Sequence, residues 1–223
     1  LHVTLVRMCE SFEEVRRLAD EQLDERQEEL AFMATHDALT GLPNRALFHD
    51  RLNQVLPTMK RLEKQLALMF IDLDGFKRVN DAFGHHMGDQ LLREVSLRLR
   101  EDLRGQDTLA RIGGDEFVLL VQLSEPDDAM NLAARQVSLI ARAFRVAEHD
   151  LQISASVGIA LYPGNGQTAH ELLMNADAAM YHAKGTGKNG YSFFDVSMNS
   201  NARKQLQLLQ DLRNAVDQNE FSL

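Results

Sequence analysis

The sequence predicts an α/β domain of the α+β kind, built on a ferredoxin-like, split-βαβ sheet. Apolar patterns run in the order strand, helix, strand, strand, helix, strand, which is the chain order of that sheet. Leu66–Leu73 is almost wholly apolar, as a strand covered on both faces must be. Gly113-Gly114 parts two further strand-like runs, the mark of a β-hairpin.

Residues 1–35 predict a helical connector with no core of its own. Leu5, Met8, Phe12, Val15, Ala19, Leu23, Leu30 and Met33 recur by threes, fours and sevens, and six acids crowd residues 20–29. So narrow a stripe suits a paired, coiled-coil connector, and a single solvated helix fits the same pattern. Asp37-Ala-Leu-Thr-Gly-Leu-Pro-Asn44 breaks that helix, with Asn44 placed to cap the next. After the Leu66–Leu73 strand, Leu91, Leu92, Val95, Leu99 and Leu103 mark an amphipathic helix. Thr108–Ile112 and Phe117–Leu123 are the hairpin strands. A helix over about 127–144, a strand over Leu151–Leu161 and a helix over about 168–184 follow. Residues 201–220 read as a last, polar helix with Leu206, Leu209, Leu212 and Val216 on one side.

Composition narrows the function. The chain has 223 residues, enough for one large domain or one domain with an appendage. At 44% hydrophobic and 26% charged it is not a disordered or low-complexity chain. The longest unbroken apolar run, Leu66 to Ile71, falls far short of the roughly 18 residues of a membrane span. No signal-peptide pattern is present, and no membrane contact by this segment is expected. A net charge of −9 argues against nucleic acid held on a basic surface. A nucleotide remains compatible, given metal ions and a few placed cations. Cys9 stands alone and cannot form an internal disulfide, so a cytoplasmic location is expected. Because residue 1 is Leu, the chain reads as a piece of a longer protein, one compatible with a membrane tether upstream.

The topology brings two carboxylates together. In a split βαβ the first two strands are parallel with the third between them, so the hairpin turn lies beside the C-terminal end of the first strand. Asp72 and Asp115 should therefore meet at one sheet edge, where a hard, oxygen-bound divalent ion such as Mg²⁺ suits them. The alternative is that both simply end strands and turns. Gly113 and Gly114 would let the hairpin backbone approach a ligand, although a plain tight turn is the commoner use of the pair. Lys77, Lys184 and Lys188 are the candidate phosphate cations, or else solvated surface lysines. Asn80 and Asp89 could read a purine edge: guanine offers N1–H and N2–H₂ donors to a carboxylate, and adenine does not. Gly185-Thr-Gly-Lys-Asn-Gly190 is no P-loop, since Asn189 stands where Ser or Thr belongs and a helix precedes it. A zinc site at His85-His86 lacks further ligands at the right spacing.

Arg111-Ile-Gly-Gly-Asp-Glu-Phe117 resembles the signature of the GGDEF diguanylate cyclases. Asp37–Arg45, Ile71–Asp81, Phe83–Asp89, Ser156–Gly158 and Ala176–Lys184 are similar to further blocks of that family, in the same order, covering roughly residues 36–195. The resemblance implies a palm-like fold of nucleotidyl-cyclase type, GTP as substrate, and cyclic di-GMP with pyrophosphate as products. It implies Asp72, Asp115 and the Leu73 carbonyl as ligands of Mg²⁺ or Mn²⁺, with Asp115 also taking the 3′-hydroxyl proton. Asn80 and Asp89 resemble the guanine readers, His85 a further substrate contact, Lys77 a phosphate or transition-state contact, and Lys184 a triphosphate lysine. Lys188 stands where many members carry Arg. Arg104-Gly-Gln-Asp107 is similar to the RxxD product-inhibition site, and Arg135 to a second arginine offered by a partner domain.

One GTP per domain implies a homodimer. Residues 208–223 look like the leading helix of an EAL phosphodiesterase domain, so residues 196–223 are expected to lead into one, with a sensor domain upstream of the chain. Two rival readings accompany this one. A catalytically silent GTP-binding domain could regulate the attached EAL domain, or Arg104 and Asp107 could serve a cyclic di-GMP receptor.

Overall fold

The computed structural model describes residues 29–125 and 127–198, with 16–17, 22–23 and 26–27 before them. Most of the expected coiled-coil connector and the whole expected C-terminal helix lie outside the described residues. The described part of the connector, residues 29–35 included, is helical.

Helix α1 (Arg45–Leu62) starts where the sequence expected, on Asn44, whose side chain accepts from the Leu47 N–H. Strand β1 (Leu66–Asp74) follows, buried at all nine positions. Helices α2 (Phe76–Phe83) and α3 (His85–Glu101) come next, then β2 (Thr108–Gly113) and β3 (Glu116–Gln122). The chain continues through α4 (Asp128–Ile140), β4 (Phe144–Val146), β5 (His149–Leu151) and β6 (Ser154–Tyr162). It closes with α5 (Ala169–Gly185) and β7 (Gly190–Phe193).

The main sheet runs β2-β3-β1-β6-β7. Strand β3 is antiparallel to both β1 and β2, and β6 is antiparallel to β1. This is the expected split βαβ, extended by β7 lying parallel to β6. Alternation along β1 sorts the helices into two layers. Leu66, Leu68 and Phe70 pack with Phe48 and Leu52 of α1 and Leu172 and Met180 of α5. Ala67, Met69, Ile71 and Leu73 pack with Leu91, Val95 and Leu99 of α3 and Leu132 and Val137 of α4.

Two expectations need correction, and one helix was not foreseen. The helix expected to reach residue 144 ends at Ile140. The reason is Arg98, whose guanidinium donates to the carbonyls of Leu139, Arg142 and Ala143 and stacks 3.5 Å over the Phe144 ring. The strand expected over Leu151–Leu161 is two strands. Residues up to Leu151 pair with β4 in a separate hairpin turned at Ala147 (φ 49°), and β6 starts only at Ser154. Before the helix marked by Leu91–Leu103, the structure adds α2, which the sequence reading did not name; Gly84 (φ 83°, ψ 163°) parts it from α3.

Candidate active site

The C-terminal end of β1 meets the β2–β3 turn, as the topology required. Asp72 lies opposite Glu116 in the β1–β3 register, and the Leu73 N–H donates to the Asp115 carbonyl at 3.3 Å. In the turn itself Gly113 (φ 149°) and Gly114 (φ 54°) hold backbone conformations that a side chain would strain. Arg111 fixes the turn from outside. Its Nε and Nη2 donate to the Gly114 carbonyl at 3.0 and 2.7 Å, and its Nη1 donates to both carboxylate oxygens of Asp37 at 2.9 Å. Burial pushes the Asp37 carboxyl up, but hydrogen bonds from Thr40 and Arg111 outweigh it and leave the group below the ordinary carboxylate range. The loop entering the domain and the hairpin are thereby joined by a two-ended clamp.

Even-numbered residues of β1 face α5, so Asp72 and Asp74 point to the same side as Lys184. The Lys184 Nζ stands 2.7 Å from Asp72 Oδ2. Neither strand nor hairpin carries a cation for this carboxylate; the last turn of α5 brings one from 112 positions along the chain. One lysine does not neutralise the site. Burial, then the nearby Asp115 and Asp74 charges, push the Asp72 carboxyl up against the opposing pull of Lys184. Burial and the neighbouring Asp72, Asp177 and Asp115 push Glu116 up as well. Burial also raises Asp177, despite Lys184. This surplus of hard anionic oxygen fits Mg²⁺ or Mn²⁺. Among the described residues no group of three or more His, Cys, Asp or Glu side chains forms a metal cage.

Asn80 lies beside the residue preceding Asp89. A Cβ at Gly88 would overlap Asn80 Oδ1, so glycine there lets α3 close onto the amide. Asn80 Oδ1 is buried with no hydrogen-bond partner, and Asp89 is half-buried on the next position of α3. An orphaned acceptor of this kind is costly unless a ligand supplies the donor. Lys77, His85 and Lys188 are exposed. Lys188 and Asn189 follow α5 in left-handed conformations, with φ 61° and 47°.

Arg104 and Asp107 sit elsewhere, in the α3–β2 connection. The Arg104 N–H donates to Asp107 Oδ2 at 2.9 Å, while Asp107 Oδ1 is buried without a partner. Burial pushes this carboxyl up. Both residues line a cleft of about 320 Å³ together with His36, Arg51 and Arg100. Arg135 does not line it; its Nε donates to Asp102 Oδ2 at 2.9 Å.

A family profile described as "Diguanylate cyclase, GGDEF domain" matches residues 34–190. The chain belongs to this GGDEF family. It is 57% identical over 195 residues to the bifunctional diguanylate cyclase/cyclic di-GMP phosphodiesterase MucR of Pseudomonas aeruginosa, which covers 87% of this chain and 28% of MucR. It is 40% identical over 202 residues to the cyclic di-GMP phosphodiesterase NbdA of the same species, over 91% of this chain and 26% of NbdA. The chain thus spans about a quarter of the length of these curated relatives. Among solved structures, the GGDEF domain of TpbB from Pseudomonas aeruginosa matches with a TM-score of 0.73 and 38% identity, over 75% of this chain and 99% of that one. The fold of this GGDEF domain is accordingly the mixed α/β fold of its family. No described helix is long and apolar enough to cross a membrane.

Sequence reasoning missed Glu116, Asp177 and Asp74 as members of the acidic cluster. Glu116 was within reach: a strand register through Asp72 and the hairpin puts the residue after Asp115 opposite Asp72. Asp74 repeats the Asp72 position two residues on, and so falls on the same face.

Proposed function

We propose that residues 36–195 form a diguanylate cyclase domain that condenses two GTP into cyclic di-GMP with release of two pyrophosphates, as a homodimer with one GTP per domain. Residues 1–35 serve as its helical connector, and residues 196–223 lead to an EAL domain. The observation that carries this reading is the under-neutralised group of Asp72, Glu116 and Asp115 beside Lys184 at the sheet edge.

In each half-reaction the 3′-oxygen of one GTP forms a bond to the α-phosphorus of the other, and the bond to pyrophosphate breaks. Asp72, Asp115 and the Leu73 carbonyl would hold Mg²⁺ or Mn²⁺, which would supply charge to offset that developing on the attacking and leaving oxygens. The Asp115 carboxylate accepts the 3′-hydroxyl proton. Lys184 exchanges Asp72 for the triphosphate, Lys188 and Lys77 add phosphate contacts, and His85 contacts the substrate. The bare backbone of Gly113 and Gly114 admits the ligand close to the turn. The direct test is the purified protein with GTP and Mg²⁺, with products separated by chromatography. Cyclic di-GMP is expected, and its absence would refute the reading.

Asn80 and Asp89 read guanine. ATP presents an acceptor at N1 to the Asp89 carboxylate, which leaves a desolvated charge unpaired. GTP should be preferred over ATP by at least about tenfold in kcat/KM. Asp89→Ala should lower GTP use and narrow that gap. Equal turnover of ATP and GTP by the parent protein would overturn the assignment.

Product inhibition is proposed at Arg104 and Asp107, with Arg135 supplied by a second domain. The orphaned Asp107 Oδ1 and the arginine-lined cleft support it, since guanidinium groups match phosphate and guanine edges in bidentate fashion. Arg104→Ala should leave the initial velocity nearly unchanged while product accumulates past the point where the parent stalls. Stalling at the same cyclic di-GMP concentration would remove the site.

The similarity to NbdA, named a phosphodiesterase, favours a second reading. There the domain binds GTP without turnover and regulates an attached EAL domain. GTP binding by calorimetry with no cyclic di-GMP formed would select it.

A further inference from the structure

Asp74 is a buried carboxylate to which the proposed chemistry gives no task. It is 6% exposed, and among the described residues it makes no ion pair. Its neighbours are hydrogen-bond donors instead. Ser156 Oγ donates to Oδ1 at 3.0 Å and Oδ2 at 3.1 Å, and Ser154 Oγ donates to Oδ2 at 3.0 Å. Both serines belong to β6, where they stand opposite Asp74 and Asp72 in the register. The remaining donor comes from far along the chain: the Asn189 N–H reaches Oδ2 at 3.1 Å.

Asn189 ends the turn that joins α5 to β7. Gly187, Lys188 and Asn189 all have positive φ, and for the latter two, as non-glycine residues, this is a conformation that needs outside support. At the α5 end the turn is tied by the Lys188 N–H donating to the Ala183 carbonyl at 3.2 Å. At the β7 end the charge-assisted bond to Asp74 holds it against β1. Lys184 precedes this turn at the end of α5 and Lys188 lies within it, and Lys184 already touches Asp72.

We propose that Asp74 is a positioning residue for the triphosphate of the nucleotide. Its carboxylate, braced by Ser154 and Ser156, receives the Asn189 N–H and locks the 185–189 turn, so that Lys184 and Lys188 approach the phosphates from a fixed backbone. The residue touches neither substrate nor metal. The inference rests on the reading of these two lysines as phosphate cations given above.

The test compares ligands with and without the phosphate chain. Calorimetry in Mg²⁺ uses 3′-deoxy-GTP, which lacks the attacking hydroxyl and cannot condense, alongside GMP. The parent should bind 3′-deoxy-GTP more tightly than GMP. Asp74→Ala should weaken 3′-deoxy-GTP about tenfold and leave GMP unchanged. Ser154→Ala, a milder change that keeps the carboxylate, should give the same selective loss at about two- to threefold. Cyclic di-GMP binding at the Arg104 cleft should be unaltered in both, as a measure of an intact fold. Equal weakening of 3′-deoxy-GTP and GMP, or no weakening of either in the Ser154 variant, overturns the role of Asp74. A parent that binds 3′-deoxy-GTP no better than GMP overturns the lysine reading itself, which is a different failure.

Discussion

Asp115→Asn should lower cyclic di-GMP formation by roughly three orders of magnitude, on the order of 4 kcal/mol of transition-state stabilisation. The substitution keeps the size of the side chain and removes one of the charges that crowd Asp72 and Glu116. It also keeps the Asp115 carbonyl, to which the Leu73 N–H donates, so the turn should stay in place. Relief of like-charge repulsion should leave the thermal midpoint equal to or slightly above that of the parent. Midpoint and product yield are measured on the same preparation. A folded variant with near-normal yield would show that Asp115 neither binds the metal nor takes the proton.

Gly158→Ala should have the largest effect on stability. Gly158 sits in the middle of β6, paired with Phe70 on β1 and Ser192 on β7. A Cβ there would overlap the Ala176 carbonyl oxygen and the Met180 nitrogen, both backbone atoms of α5. No rotamer can relieve that, so the helix must move off the sheet. Overpacking against side chains costs about 1–3 kcal/mol, and a forced backbone shift belongs at or above the upper end. A loss of about 3 kcal/mol would lower the midpoint of a domain this size on the order of 10 °C. The same shift would carry Lys184 away from Asp72, so activity should fall before the fold is lost. A Gly158→Ala protein as stable as the parent would mean that α5 does not approach β6 this closely.

Much of the architecture was legible because it is written in local pattern. The apolar run of β1, the Gly-Gly turn and the Asn44 cap each depend on residues within a few positions, and each appears as expected. The strand order then follows from chain order, since a split βαβ admits only one place for the hairpin turn. That argument alone put Asp72 beside the turn carrying Asp115. The errors share a cause. The α4 helix stops early because Arg98, more than forty residues before its last carbonyls, collects them. The short β4–β5 hairpin has three residues per strand, too few for a period of two to declare itself.

What the sequence by itself determined is the strand–helix–strand–strand–helix–strand order of the central sheet, its buried first strand, and the pair of carboxylates at one sheet edge. Periodicity and turn chemistry are local properties, and the handed sheet converts them into a position. What only the tertiary structure decided is who neutralises and who braces that pair. Lys184 reaches Asp72 from the end of α5, Glu116 faces it across the strand register, Arg111 ties the turn to Asp37, and Asn189 crosses 115 positions to Asp74. These contacts join segments with no shared period, and electrostatic balance depends on distances that only packing of the helices on the sheet sets.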